Sequence, residues 1–331
     1  MVSVSGLHSN MTMRQVGVYV KMFTTTRINY TVYVNMNTLI TGEKRYSIII
    51  TLTGNYILQR FTNIHTNKTR DNRFFLKIMI KQISSILKDM NPITLDEMQN
   101  IRLMDRIDSK YVASVSLLPD LLRKMIPLYK VQEIEGERFA AYSTQYFDTP
   151  ELGMFVMHQN GKLNRQKIRI RSYLNSNLSF LEVKNKNNKG RTSKKRVPVE
   201  VSQLASIDEL NDEKDFLKRY SLFDIEHLHP SLTNKFDRIT FVNNKETERI
   251  TIDINLSFRN CITEKDARID DLMILELKQD GWKRSEFRDI LNELRIKQTS
   301  FSKYCIGTVL TNPDSKYNRF KEKTEIINKL I

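Results

Sequence analysis

Residues 165 to 171 read Arg-Gln-Lys-Ile-Arg-Ile-Arg. At a two-residue period, Arg165, Lys167, Arg169 and Arg171 fall on one face, and Gln166, Ile168 and Ile170 on the other. Consecutive side chains of a strand point to opposite faces. A solvated face usually mixes charge signs, and a buried face usually excludes charge. A row of cations backed by isoleucine therefore suits a polyanion.

The same alternation returns along the chain. Arg106, Asp108 and Lys110 share one face; Glu182, Lys184 and Lys186 share another, against Leu181 and Val183. Lys194 pairs with Arg196, Arg238 with Phe236 and Thr240, and Arg249 with Thr251 and Asp253. Glu276 and Lys278 alternate with Leu275 and Leu277, and Lys303 follows in Ser300-Phe-Ser-Lys-Tyr304. Cations facing one another in a confined space repel unless an anion sits among them. A multi-phosphate chain answers that need, with forked contacts from Arg and point charge from Lys. Glu182, Glu276, Asp253 and Asp108 add oxygen ligands of the kind that hold Mg²⁺ or Mn²⁺ on phosphates. The alternating partners are Ile, Leu and Val, which cannot stack on bases, so nucleic acid is not the expected partner.

Strands must carry these faces. The spacing predicts strands over 102–114, 139–147, 163–174, 179–186, 194–199, 235–243, 248–256 and 271–279. Ser116 is the expected cap of a helix over 117–126, and Ser285 of one over 286–296. A further helix is expected over 206–220. Eight strands with few long helices between them predict an α+β fold: an antiparallel barrel or tunnel with helices packed outside.

The chain has 331 residues, 40% hydrophobic and 27% charged, with a net charge of +15. That allows a sizeable core and favours anionic partners. The two cysteines, Cys261 and Cys305, lack metal-ligand spacing, which points to a reducing compartment. With no long apolar run and no signal-like start, the expected location is cytoplasmic. Residues 1–74 hold nine bases and two acids, almost half of the net charge. They are rich in Thr, Asn, Ile and Tyr. We read them as poorly ordered or as a non-native upstream extension, with a small accessory domain as the alternative. Residues 75–99 read as a helical lead-in, 100–310 as the strand-rich domain, and 311–331 as a basic tail.

Taken in order, Arg106-Ile-Asp-Ser-Lys-Tyr111, Tyr146-Phe-Asp-Thr-Pro150, Arg165-Gln-Lys-Ile-Arg-Ile-Arg171, Phe180-Leu-Glu-Val-Lys184, Arg238, Arg249 with Asp253, Glu276-Leu-Lys278 and Phe301-Ser-Lys-Tyr304 form a series. The series resembles the VTC (vacuolar transporter chaperone) domain, the polyphosphate polymerase branch of the triphosphate tunnel metalloenzymes. The resemblance implies an eight-stranded tunnel that transfers the γ-phosphate of ATP to a growing inorganic polyphosphate chain with Mn²⁺ or Mg²⁺. It implies phosphate binding by Lys110, Arg169, Arg171, Lys184, Arg238, Arg249, Lys278 and Lys303. Lys194 (or Lys195) joins them; Arg106, Arg165, Lys167 and Arg196, on the same cation faces, are read as further ligand-binding residues. Glu276 is the implied metal ligand, with Glu182 and Asp253 as further carboxylates. The superfamily's first-strand Glu-x-Glu-x-Lys is Arg106-x-Asp108-x-Lys110 here, a change that favours a polymerase over a two-metal triphosphatase. A triphosphatase and a non-catalytic polyphosphate binder are the alternatives. Export of product would call for a separate membrane partner, and oligomeric state is left open.

Overall fold

In the computed structural model the described residues are 19–25, 28–38, 44–52, 55–57, 79–101, 106–189, 191–200, 203–281 and 283–330. The chain divides into two compact units, Met1–Phe75 and Leu76–Ile331. In the first, β1 (Tyr19–Thr25), β2 (Ile28–Thr38), β3 (Lys44–Leu52) and β4 (Asn55–Ile57) pair antiparallel in chain order. The rest of 1–74, where the sequence suggests an extension, lies outside the described residues.

The second unit is built on one long antiparallel path. Its strands are β6 (Arg106–Ser114), β8 (Ala140–Asp148), β9 (Arg165–Tyr173), β10 (Leu178–Lys186), β11 (Thr192–Val199), β12 (His229–Asn243), β13 (Glu248–Asn260) and β15 (Leu272–Asp280). They run in the order β11-β10-β9-β8-β12-β13-β15-β6. Three short strands attach to this path. β7 (Tyr129–Gln132) pairs with β12, β5 (Pro92–Ile93) lies parallel to β7, and β14 (Asp266–Ile269) pairs with β13. The eight expected strands are thus present.

The β12–β13 hairpin is longer than its alternation suggests. Its first strand begins at His229 because the extra residues pair with β8, and its second runs to Asn260 because they pair with β14. A bulge separates the two halves, with a register shift between Lys235 and Asp237. Opposite it, Asn255 takes the left-handed conformation at φ 56° and donates its amide to Asp237 at 2.5 Å. At the ends of the path, β11 carries Pro198 and exposed cations, which discourage further pairing. The free edge of β6 is covered by the chain at Gln298 and Thr299, whose amide donates to Lys110 O at 2.9 Å.

One face of this sheet is covered by helices. The helix over 79–88 (α1), α3 (Leu118–Met125) and α6 (Glu286–Glu293) bury Ile239, Phe241, Ile250, Ile252, Leu275 and Leu277. Helix α5 (Glu213–Tyr220) covers Ile168, Ile170, Leu181 and Val183. These are the apolar partners of the cation rows, so helices lie outside as expected. Ser285 caps α6 as expected, accepting from Arg288 N.

Three local expectations change. Ser114, not Ser116, caps the turn that leads into α3, because a 3-10 turn (Val115–Leu117) precedes the helix. The helix expected over 206–220 is broken. Ser206 and Glu209 form a capping box on a 3-10 turn, Leu210 leaves helical backbone to bury its side chain, and α5 begins afresh at Glu213. The basic tail is α8 (Asn318–Leu330), which buries Phe320 and Ile327.

The least expected element is α7 (Lys303–Thr311), buried on nearly every side. With α8 and α4 (Gly153–Gln159) it packs an apolar cluster against inward-facing Val112, Tyr146, Leu256, Phe258 and Ile274. One end of the sheet's interior is therefore filled. Gly307 makes this fit possible, because a Cβ there would come 2.4 Å from Phe258 and 2.6 Å from Leu232. Gly307→Val is expected to cost about 3 kcal/mol through overpacking. A thermal melt should then fall by roughly 5–10 °C.

Candidate active site

The cation face of β9 is realised as its sequence implies. Gln166, Ile168, Ile170 and Ser172 are buried on one side, and Arg165, Lys167, Arg169 and Arg171 are half-buried on the other. Register then builds the site across strands. Glu182 on β10 lies between Arg169 on β9 and Arg196 on β11, and Lys184 lies between Lys167 and Lys194. Glu182 is wholly buried, with Arg169 Nη2 at 2.7 Å and Lys194 Nζ at 2.6 Å. Burial pushes its carboxyl pKa up, but the cations prevail and hold it at about 2. Of the two candidate lysines, Lys194 joins Glu182, whereas Lys195 lies over the Tyr220 ring of the outer helix α5. Arg196 stacks over Phe180 at 4.5 Å.

A second group lies on β12 and β13. Arg238 grips Asp253 with two bonds, Nε–Oδ1 at 2.6 Å and Nη2–Oδ2 at 2.8 Å. Lys303, the first residue of α7, bonds the same carboxylate. Asp253 stays well below the usual carboxylate range despite its burial, because both cations face it. On β15, Glu276 pairs with Lys110 of β6 at 2.9 Å.

These groups share one interior. Lys184 lies in the field of Arg169, Glu276, Lys167 and Lys110. Arg171 feels Arg169, Glu182 and Arg238, and Lys303 feels Asp253, Arg238 and Lys110. Among the described residues, Lys110, Lys167, Arg169, Arg171, Lys184, Arg238, Lys278 and Lys303 therefore face four carboxylates: Glu182, Asp253, Glu276 and, across from Lys278, Asp108. Among the described residues, Arg171, Lys184 and Lys278 make no ion pair, and the buried Nε of Arg171 has no hydrogen-bond partner. The lining side chains keep slight exposure, 14% for Arg169 and 12% for Arg238 and Lys303, as the wall of a wet cavity does.

Other expected residues lie at the margins. Arg249 sits opposite Lys278, and its Nη2 donates to Met98 O of α2 (Leu95–Asn100) at 2.8 Å. Arg165 closes the β9 row and donates to Lys162 O at 3.3 Å. Arg106 opens β6, and its side chain lies outside the described residues. Three wall residues escape a reading focused on charge. Ser302 accepts from Lys167 Nζ at 2.9 Å. Tyr142 and Tyr146 offer ring faces, with Arg238 5.0 Å from the Tyr142 centroid and Arg169 6.0 Å from the Tyr146 centroid. Tyr142 and Tyr146 stand four residues apart on β8, an even spacing that puts both rings on one face.

The excess of cations leaves a titration signature. Burial, acting first, lowers Lys167, Lys184, Lys278 and Lys303 from 10.5 to about 8, with neighbouring cations adding to it. The unfolded chain thus binds more protons between pH 8 and 10.5, and stability of the empty protein rises with pH across that window. A bound polyanion favours the charged forms and draws protons in. Calorimetry of tripolyphosphate binding at pH 8, in buffers of different ionisation enthalpy, should show net uptake of roughly one to two protons. Affinity should fall as pH rises above about 8.

No three carboxylate, His or Cys side chains converge as a metal cluster among the described residues. Both oxygens of Glu182 and of Asp253 are engaged by cations. Glu276 gives one oxygen to Lys110 and is 17% exposed. This donor set fits an ion that takes one carboxylate and completes its shell with phosphate oxygens and water, as Mg²⁺ accepts.

No curated protein sequence matches the chain. Among solved structures, it is similar to a candidate adenylate cyclase from Bacillus halodurans, at 16% identity and TM-score 0.38, covering 60% of this chain and 96% of that one. It is also similar to a candidate adenylyl cyclase from Hippeastrum with a dominant triphosphatase activity, at 12% identity and TM-score 0.40, covering 62% and 96%. No helix among the described residues is long and apolar enough to cross a membrane. The VTC domain family matches residues 105–312, the span holding the eight-strand path and α7, and the chain belongs to that family.

Proposed function

We propose that this protein is an ATP-dependent polyphosphate polymerase. The observation that carries the reading is the surplus of cations in this interior: eight face four carboxylates, and Arg171, Lys184 and Lys278 lie in the field of Glu182, Glu276 and Asp108 without making an ion pair among the described residues. Unpaired enclosed charge is costly unless a ligand compensates it. A triphosphate and the end of a polyphosphate chain supply that compensation.

The nucleophile is a terminal phosphate oxygen of the chain. Its bond to the γ-phosphorus forms as the bond from that phosphorus to the β,γ-bridging oxygen breaks, and ADP leaves. No protein nucleophile is required. Arg169 and Arg238, fixed by Glu182 and Asp253, hold phosphate oxygens in place. Arg171, Lys184, Lys278 and Lys303 balance the charge of the transferring group. Glu276 would hold a divalent ion, which when bound would add charge neutralisation.

The saturated carboxylates Glu182 and Asp253 favour a polymerase over a hydrolase that needs several open metal ligands. Incubation with ATP and Mn²⁺, followed by gel analysis, tests this. Chains longer than triphosphate support synthesis. Orthophosphate alone would favour the triphosphatase, and no turnover would favour a binding module.

A further inference from the structure

The cation row of β9 continues beyond the site. Register pairs Lys167 with Lys184 and, at the next position of the same faces, Arg165 with Lys186. This end of the hairpin lies beside α7, which fills the interior here. Lys167 reaches Ser302, the residue before α7, and Lys323 of α8 bonds Ser300 Oγ at 2.5 Å. Lys323 also lies in the field of Arg319 and Arg165. His158 of α4 sits among Lys167, Arg165, Lys186 and Lys323. Burial first, and then these cations, bring its imidazole down to about 2, so it adds no charge of its own. Cations thus lead from the interior, along the flank of the apolar plug, to the outer surface of α8.

We propose that this run is an exit track for a linear polyphosphate, which leaves the interior past the N-terminus of α7 over Arg165, Lys186 and Lys323. The proposal rests on the function proposed above and extends it to the route of the chain. The apolar packing around Tyr304, Ile306 and Phe258 gives a polyanion no path through α7 itself. The flank, by contrast, repeats cations on two strands and a helix, as a polymer of identical charged units requires. Lys186 and Lys323 contact none of the groups that fix Arg169, Arg238 or Glu276.

The test uses the full chain and two probes, inorganic tripolyphosphate and a long inorganic polyphosphate, titrated by calorimetry. The wild type should bind the long chain more tightly. The double variant Lys186→Ser, Lys323→Ser should keep its tripolyphosphate affinity within about twofold and lose about tenfold or more for the long chain. Charge reversal, Lys186→Glu with Lys323→Glu, should deepen that loss at an unchanged melting temperature. Equal weakening for both probes, or unchanged long-chain affinity, overturns the exit track and leaves the polymerase reading standing. If the wild type binds neither probe, the proposed function falls, and the track with it.

Discussion

Arg171→Met should weaken tripolyphosphate binding about a hundredfold or more while leaving the protein as stable as before, or about 1 kcal/mol more stable. Arg171 makes no ion pair among the described residues, its Nε is buried without a hydrogen bond, and Arg169 and Arg238 repel it while Glu182 attracts it from a distance. A Met side chain keeps much of the packing volume and removes both burdens. Arg169→Met is the contrasting case. It strips the wholly buried Glu182 of its two-bond partner and leaves only Lys194. That substitution should cost about 3 kcal/mol of stability, within the range for breaking a buried pair. Both variants should weaken tripolyphosphate binding about a hundredfold or more, through loss of a charge-assisted contact. Melting temperature and calorimetric Kd, measured side by side, check the pair. If Arg171→Met were as destabilised as Arg169→Met, Arg171 would be a structural cation and not a ligand site awaiting its anion.

Glu276→Gln should separate turnover from binding more sharply than any other substitution. The carboxylate lies among Lys278, Lys110 and Arg238, which hold it well below the usual range. Glutamine is nearly isosteric and removes one negative charge from the wall. Metal-free tripolyphosphate should therefore bind as well as before or better, since Lys110 is released from its 2.9 Å pair. Turnover with ATP and divalent metal should drop about a hundredfold or more. A matching loss of metal-free affinity would show that Glu276 acts only by positioning Lys110. Because its folded pKa is depressed, the native carboxylate contributes stability above its unfolded value near 4.5 and loses it in more acidic solution. The Gln variant should lack that acid-dependent part of the melting curve.

The strand faces were legible because one period decides them. The buried and half-buried positions of β9 alternate without a break, as the residues from Arg165 to Arg171 suggest. What a period cannot supply is register. Glu182 and Asp253 read as oxygen ligands for a metal, and only the neighbouring strands and α7 show Arg169 and Lys194 on the first and Arg238 and Lys303 on the second. Helix α7 was hidden for a different reason. It is apolar on most sides and only nine residues long, so it has no polar face to betray a helical period. Its one local signal was Ser302, which caps it by accepting from Cys305 N. The helix expected over 206–220 failed through Leu210, whose burial outweighs the local preference for a continuous helix.

Helix α7 also has a consequence for the order in which the molecule assembles. Lys303 and the plug follow every strand of the sheet in the chain. During synthesis, the strands can pair while Asp253 faces Arg238 alone and Val112, Ile274 and Phe258 still face open solvent. Docking of α7 then covers the apolar surface and delivers the final cation in one event. Closure of the apolar cluster by α7, with α8 behind it in the chain, thus coincides with completion of the ion pairs of Asp253. A nascent chain halted before residue 303 carries the cation rows without the plug, a state prone to aggregate and to capture whatever polyanions surround the ribosome.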